Sequence, residues 1–138
     1  MTSTETVLEA LRAVAAGDAE RIAALYAPDC RGWSAGREIP SREELLVGAG
    51  DRATGLSDIT VEASPMELPN GTVVAEWRLT ARHTGELNLG EDVVVPPSGK
   101  TLDVRGAMFA ELRGGQIAAF RQYWDEADLL DQLGLLPA

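Results

Sequence analysis

The sequence predicts an α+β domain with its helices first and its strands after. Two observations carry this. Apolar residues recur at helical spacing up to about residue 53, and from about residue 58 onward they alternate with polar ones, with turn dipeptides between the runs. The length, 138 residues, is near the commonest size of one domain, and a hydrophobic fraction of 45% suffices for a full core, so residues 1–138 read as a single domain.

Thr2 with Glu5, and Thr6 with Glu9, each fit a capping box. Val7, Leu8, Leu11, Val14 and Ala15 then predict an amphipathic helix from about Ser3 to Ala16, ended by Gly17. Asp18 caps a second helix through Ile22, Leu25 and Tyr26, with Pro28 as its stop; Cys30 to Ala35, around Trp33, reads as a short strand. Pro40-Ser41 followed by Glu44 starts a third helix with Leu45, Leu46, Ala49 and Ala53 on its apolar side. Gly48, Gly50 and Gly55 weaken it, each by about 1 kcal/mol relative to Ala.

Asp58 to Leu68 alternates, and Pro65 marks a bulge or an edge. Pro69-Asn70-Gly71-Thr72 is a hairpin turn, since Asn-Gly tolerates positive φ at both central positions. Val73 to Thr84 is the most regular strand, with Ala75, Trp77, Leu79, Ala81 and His83 on one face and Glu76, Arg78, Thr80 and Arg82 on the other. Gly85 to Lys100, holding Gly90, Pro96, Pro97 and Gly99, reads as a loop or an irregular edge. Thr101 to Arg113 alternates again, Leu102, Val104, Gly106, Met108, Ala110 and Leu112 against Asp103, Arg105, Phe109, Glu111 and Arg113. Gly114-Gly115 turns the chain into a strand from Gln116 to Trp124; Asp125 then caps a short helix carrying Leu129, Leu130 and Leu133, with Gly134 at its stop. A sheet with one apolar face wraps that face round the helices, and strong twist leaves room for a small ligand between them.

Twelve basic against 22 acidic residues give a net charge of −10, and Lys100 is the single lysine. Nucleic acid and anionic membrane surfaces are therefore poor partners, because phosphate binding needs clustered Lys and Arg. Cys30 is alone, which leaves no internal disulfide and no Cys-rich metal site. No His/Asp/Glu set has metal-ligand spacing and no Gly-rich phosphate loop occurs, so no cofactor or metal is expected. The start lacks a basic n-region followed by an apolar run, and no apolar run approaches the roughly 20 residues of a membrane span. A cytoplasmic protein is the default expectation.

Four pieces stand in a telling order: LYAPDC ending at Cys30, ARHTG at Ala81 to Gly85, PPSGK at Pro96 to Lys100, and GGQIAAFRQYWDEADLLDQLG from Gly114 to Gly134. Together they resemble the SnoaL-like polyketide cyclases of the nuclear-transport-factor-2-like superfamily, over nearly the whole chain. The resemblance implies a cone-shaped, curved mixed or antiparallel sheet wrapped round three N-terminal helices, an internal pocket, and a homodimer. The family's cyclases use an Asp on the last strand as general acid/base and a His on the strand before. Matching the turn and the tail puts Gln122 at the Asp position and Met108 at the His position; limonene-type epoxide hydrolases also carry Asp where Gln122 stands. A Gln neither takes nor gives a proton at ordinary pH, but it holds a carbonyl, an enol or a water by hydrogen bonds.

The candidate catalytic residues are therefore Gln122 and His83. His83 is the one histidine of the chain and falls on the apolar face near its strand's end, either hydrogen-bonded to a loop or poised as a base near neutrality. Pattern alone does not orient Gln122, since Ile117, Ala119 and Tyr123 compete with Ala118, Phe120 and Trp124; the resemblance turns it inward. Trp33, Trp77, Trp124, Met108 and Tyr26 are candidate walls for an apolar, oxygenated substrate, with core packing as the other reading. Glu76, Arg78, Arg82, Arg105, Glu111 and Arg121, interspersed with Phe109 and Tyr123, suit a solvated face or a dimer interface. The expected function is cofactor-independent cyclisation or isomerisation of a polyketide-type molecule, resting on substrate folding and polar stabilisation. The alternatives are a non-catalytic binder of a small apolar molecule, or an epoxide-opening or hydrolytic enzyme using Glu38 or Asp103.

Overall fold

The structure, a computed structural model, describes residues 1–89 and 93–136. Three helices, α1 (Ser3–Ala16), α2 (Ala19–Leu25) and α3 (Arg42–Gly55), pack against a curved, open sheet. Its six strands are β1 (Tyr26–Ser34), β2 (Arg37–Ile39), β3 (Leu56–Glu67), β4 (Val73–His83), β7 (Thr101–Arg113) and β8 (Gln116–Trp124), with β5 (Leu87–Asn88) and β6 (Val94–Val95) forming a separate ribbon and α4 (Glu126–Gln132) following β8. The sheet order is β2-β1-β8-β7-β4-β3. All neighbours run antiparallel except β1 and β8, which are parallel, so the sheet is mixed. This is the α+β architecture expected. No helix among the described residues is long and apolar enough to cross a membrane.

Local chemistry accounts for the helix starts. The side chains of Thr2, Asp18, Ser41 and Asp125 accept hydrogen bonds from the backbone N–H groups of Glu5, Arg21, Glu44 and Asp128. Such caps contribute about 1 kcal/mol each. The Thr6–Glu9 box does not form, because Thr6 already lies inside α1, where its hydroxyl donates to the Thr2 carbonyl. Gly17 ends α1 in the left-handed region at φ 66°.

Three expectations need correction. Tyr26 leaves the helix and opens β1, so Pro28 does not stop α2; it sits exposed where β1 loses register between Tyr26 and Arg31, a place that tolerates a missing N–H. The β3–β4 turn is centred on Pro69 and Asn70, with the Leu68 carbonyl accepting from Gly71 N–H; Gly71 has φ 90°, while Asn70 is not in the positive region. The Asn70 side chain instead accepts from Thr72 N–H at 3.0 Å. Residues 85–100 hold the β5–β6 ribbon as well as loop, and Gly90 lies outside the described residues. Pro65 is in β3, an edge strand of the sheet.

Val7, Ala10, Ile22, Tyr26, Cys30, Ala49, Ala75, Met108, Ala110 and Ile117 are at most 2% exposed and form the main core between helices and sheet. A smaller cluster of Leu87, Val95, Leu102 and Leu133 lies under α4. Gln132 of α4 grips the backbone of Asp103, accepting from its N–H and donating to its carbonyl, both at 2.8 Å. The helix thereby occupies backbone groups of β7 beyond the reach of β8, whose pairing ends at Gly106.

Candidate functional site

The inner face of the sheet is set by register. Ala75 stands opposite Met108, which stands opposite Gln122, which stands beside Ser34; one step along, Trp77 stands opposite Gly106, which stands opposite Trp124. Ala75 and Met108 are fully buried in the core, so this whole set points to the helix side. Gln122 is therefore on the inner face, with Phe120 and Trp124, as the resemblance implied.

Here two indoles reach diagonally across the sheet. Trp77 Nε1 donates to Gln122 Oε1 at 2.8 Å, and Trp124 Nε1 donates to Ser34 Oγ at 3.0 Å. The first bond spans from β4 to β8 over the intervening strand β7. Gly106 makes that possible: a Cβ there would lie 2.5 Å from Trp77 Cζ2 and 2.6 Å from the Tyr123 carbonyl oxygen. A mid-strand glycine marks such close approaches. Trp77, Gln122, Trp124 and Ser34 are all half-buried.

The other candidates fall elsewhere. His83 is fully buried, six residues beyond Trp77 on β4, about 20 Å away at the usual strand rise. Its Nδ1 lies 2.8 Å from Ser98 Oγ and accepts from Ser98 N–H at 3.3 Å. It therefore cannot serve the same reacting atom as Gln122, and the expected catalytic pair is not assembled. Its Nε2 is buried without a hydrogen-bond partner among the described residues. Trp33 lies on the outer face, tilted against Tyr123 at 5.1 Å between ring centroids, because it is in register with Arg121 rather than with Gln122. It is not a wall of this site. Tyr26 and Met108 belong to the core floor: Tyr26 packs edge-on against Phe120 at 5.5 Å, and burial pushes its phenol far above its ordinary pKa.

A closed cavity walled by Trp77 and Met108 was expected. Instead, Met108 is packed solid in the core and Trp77 is tied to Gln122, leaving a half-buried polar patch between indoles. Two open concavities lie elsewhere. One, of about 520 Å³, runs between α1, α3 and β3 past Arg12, Ala53, Asp58 and Val61. The other, of about 370 Å³, is a shallow outer-face depression at Phe109, Arg121 and Tyr123.

Neither alternative carboxylate joins the site. Asp103 faces outward in a two-bond pair with Arg78, at 2.9 and 2.7 Å, and that hydrogen bonding holds its carboxyl below the usual range. Glu38 is exposed on the short edge strand β2. Cys30 is buried, and desolvation raises its thiol pKa, so it behaves as a small core residue.

The profile of the SnoaL-like polyketide cyclases matches residues 5–133. The chain belongs to the SnoaL-like polyketide cyclase family. Solved structures share its fold across almost their whole length. A candidate SnoaL-like polyketide cyclase from Jannaschia sp. CCS1 is 22% identical with TM-score 0.80, covering 98% of this chain and 93% of that one. AclR, a candidate hydroxylase from Streptomyces galilaeus, is 23% identical with TM-score 0.80, covering 98% and 97%. IdmH, a candidate polyketide cyclase from Streptomyces antibioticus, is 23% identical with TM-score 0.77, covering 97% and 99%. No curated protein matches the sequence. At these identities the structures speak for the SnoaL-like fold and not for a shared reaction.

Sequence reasoning missed Ser34 and Gly106. Gly106 had a signal, a glycine in the middle of an otherwise regular strand. Ser34 had none, because its relevance comes from the parallel pairing of β1 with β8.

Proposed function

We propose that this protein is a cofactor-independent cyclase or isomerase of polyketide-type metabolism, acting in the cytoplasm on an apolar, oxygenated substrate. The observation that carries the reading is Gln122. It occupies the inner-face position on β8, half-buried and bonded to the Trp77 indole, where a proton-transferring Asp would stand in the resemblance. A neutral amide there supports catalysis by folding the substrate and stabilising charge that develops on its oxygens. Trp77 and Trp124 supply flat apolar surface beside it.

Turnover of aromatic polyketide-type precursors is the test. Gln122→Ala lowers kcat on the order of 10²-fold, the usual effect of losing one charge-stabilising donor, while Gln122→Glu brings no gain. Parent-level turnover in a folded Gln122→Ala variant would remove Gln122 from the chemistry.

A second reading, a binder of a small apolar molecule, is favoured by one specific fact: the two matched catalytic positions carry Gln122 and Met108, neither of which titrates, and His83 is remote. Tight ligand binding without turnover would select it. The hydrolytic reading through Glu38 or Asp103 has lost its support, since both lie away from the patch. The exposed Tyr123, with Phe109, Trp33 and Arg121 around it, supports a homodimer formed through the outer face.

A further inference from the structure

Gln122 and Ser34 share one feature that neither residue has alone. Each is a group able both to donate and to accept, and in each the accepting atom is taken by an indole N–H. An indole N–H is donor only. Trp77 therefore determines which way the Gln122 amide lies: the oxygen must face the indole, so the NH₂ points away from it. Trp124 occupies a lone pair of Ser34 Oγ in the same manner, leaving the Ser34 hydroxyl proton to be given to something else. The Gln122 NH₂ and the Ser34 hydroxyl proton meet no acceptor among the described residues. The two residues are register partners across the parallel β1–β8 pair, so their side chains project from neighbouring positions on the same face.

We infer that Gln122 and Ser34 form a donor pair, polarised by Trp77 and Trp124, that binds an enolate or phenolate oxygen of the ligand in preference to the neutral hydroxyl. This rests on the cyclase or isomerase reading and names the charge form that its site recognises. The carboxylates Asp103 and Glu38 lie off the patch, so no anion opposes the bound oxygen from those positions. Trp77 and Trp124 are positioning residues, since each acts through the group it orients. The protein's overall charge of −10 works against any anion. A preference for the anion therefore has to come from these local donors.

The test uses 4-nitrophenol and related phenols, whose ionisation is visible in absorbance and whose binding is followed by tryptophan fluorescence. No reaction is needed. The wild-type protein binds the phenolate on the order of tenfold more tightly than the phenol, the difference between a hydrogen bond to a charged and to a neutral acceptor, so bound phenol ionises at lower pH than free phenol. Ser34→Ala and Trp77→Phe each shrink the shift. The first removes a donor, and the second lets the amide turn while keeping an aromatic ring in place. Gln122→Glu reverses the shift, by setting a carboxylate where the donor was. Circular dichroism confirms that each variant is folded. Equal or weaker binding of the phenolate by wild type, an unchanged shift in Gln122→Glu, or no binding of any phenol would each overturn the donor pair. The two readings fail separately. Turnover with an unshifted phenol would overturn the pair and leave the cyclase reading, while a shifted phenol with no turnover would leave the pair standing and select a binding protein.

Discussion

Gly106→Ala tests the geometry on which the site depends. The added methyl would sit 2.5 Å from Trp77 Cζ2 and 2.6 Å from the Tyr123 carbonyl oxygen, well inside contact distance. Overpacking of this kind costs about 1–3 kcal/mol. Displacing the indole also breaks the Trp77–Gln122 hydrogen bond, about 1 kcal/mol more. Against this, replacing glycine in a strand interior returns about 0.5–1 kcal/mol. The net expectation is a loss of about 1–3 kcal/mol, which for a domain of this size lowers Tm by roughly 4–10 °C. Differential scanning calorimetry of the parent, Gly106→Ala, Trp77→Leu and the double variant reads this directly. Because a smaller side chain at Trp77 relieves one of the two contacts, the double variant should be more stable than additivity allows, with a coupling of about 1 kcal/mol or more. A Gly106→Ala variant as stable as the parent, or strict additivity in the cycle, would mean that the indole does not lie across Gly106, and the amide orientation argued from it would fall too.

Three further outcomes are expected. His83→Gln lowers Tm by roughly 3–10 °C, through lost packing and lost bonds to Ser98, and leaves kcat within about twofold; a collapse of kcat in a stable variant would return His83 to the chemistry. The Asp103 and Asp29 carboxyls are held below their ordinary pKa chiefly by hydrogen bonds from Arg78 and Arg113. A lowered folded pKa means stabilisation that is present above the unfolded value, about 4, and is lost as pH falls through the folded one. Tm of Asp103→Asn should accordingly fall less steeply than the parent's below about pH 4, and an unchanged acid limb would show that the exposed pair contributes nothing. The proposed homodimer should bury about 800 Å² per partner, and Tyr123→Lys, which places a charge amid Trp33, Phe109 and Arg121, should convert it to monomer by light scattering; a parent protein already monomeric at high micromolar concentration would remove that interface.

Much of the molecule was legible in the chain itself, for local reasons. The caps at Thr2, Ser41 and Asp125 are side chains bonding to backbone three residues on, so they read directly from sequence. The alternation from Val73 to His83 and from Thr101 to Arg113 settled which side chains share a face, because a strand's period is two. The SnoaL-like tail carried Gln122 to the inner face.

The rest depended on which strands become neighbours. Alternation and strand rise place Trp77 and His83 on one face roughly 20 Å apart, but say nothing of which end meets β8. Trp33 looked like a pocket wall until the β1–β8 register set it beside Arg121 on the outer face. Tyr26 looked helical because its spacing from Ile22 is that of one turn, yet it begins a strand that pairs with Ile117, some 90 residues away. The bond from Trp77 to Gln122 needs β4 and β8 to flank β7, and it needs Gly106 at the crossing. Sequence periodicity thus determined the faces of the regular strands β4 and β7, which are properties of local backbone geometry. Only the tertiary structure decided the partners across the sheet, because strand order and register are set by contacts between residues far apart in the chain.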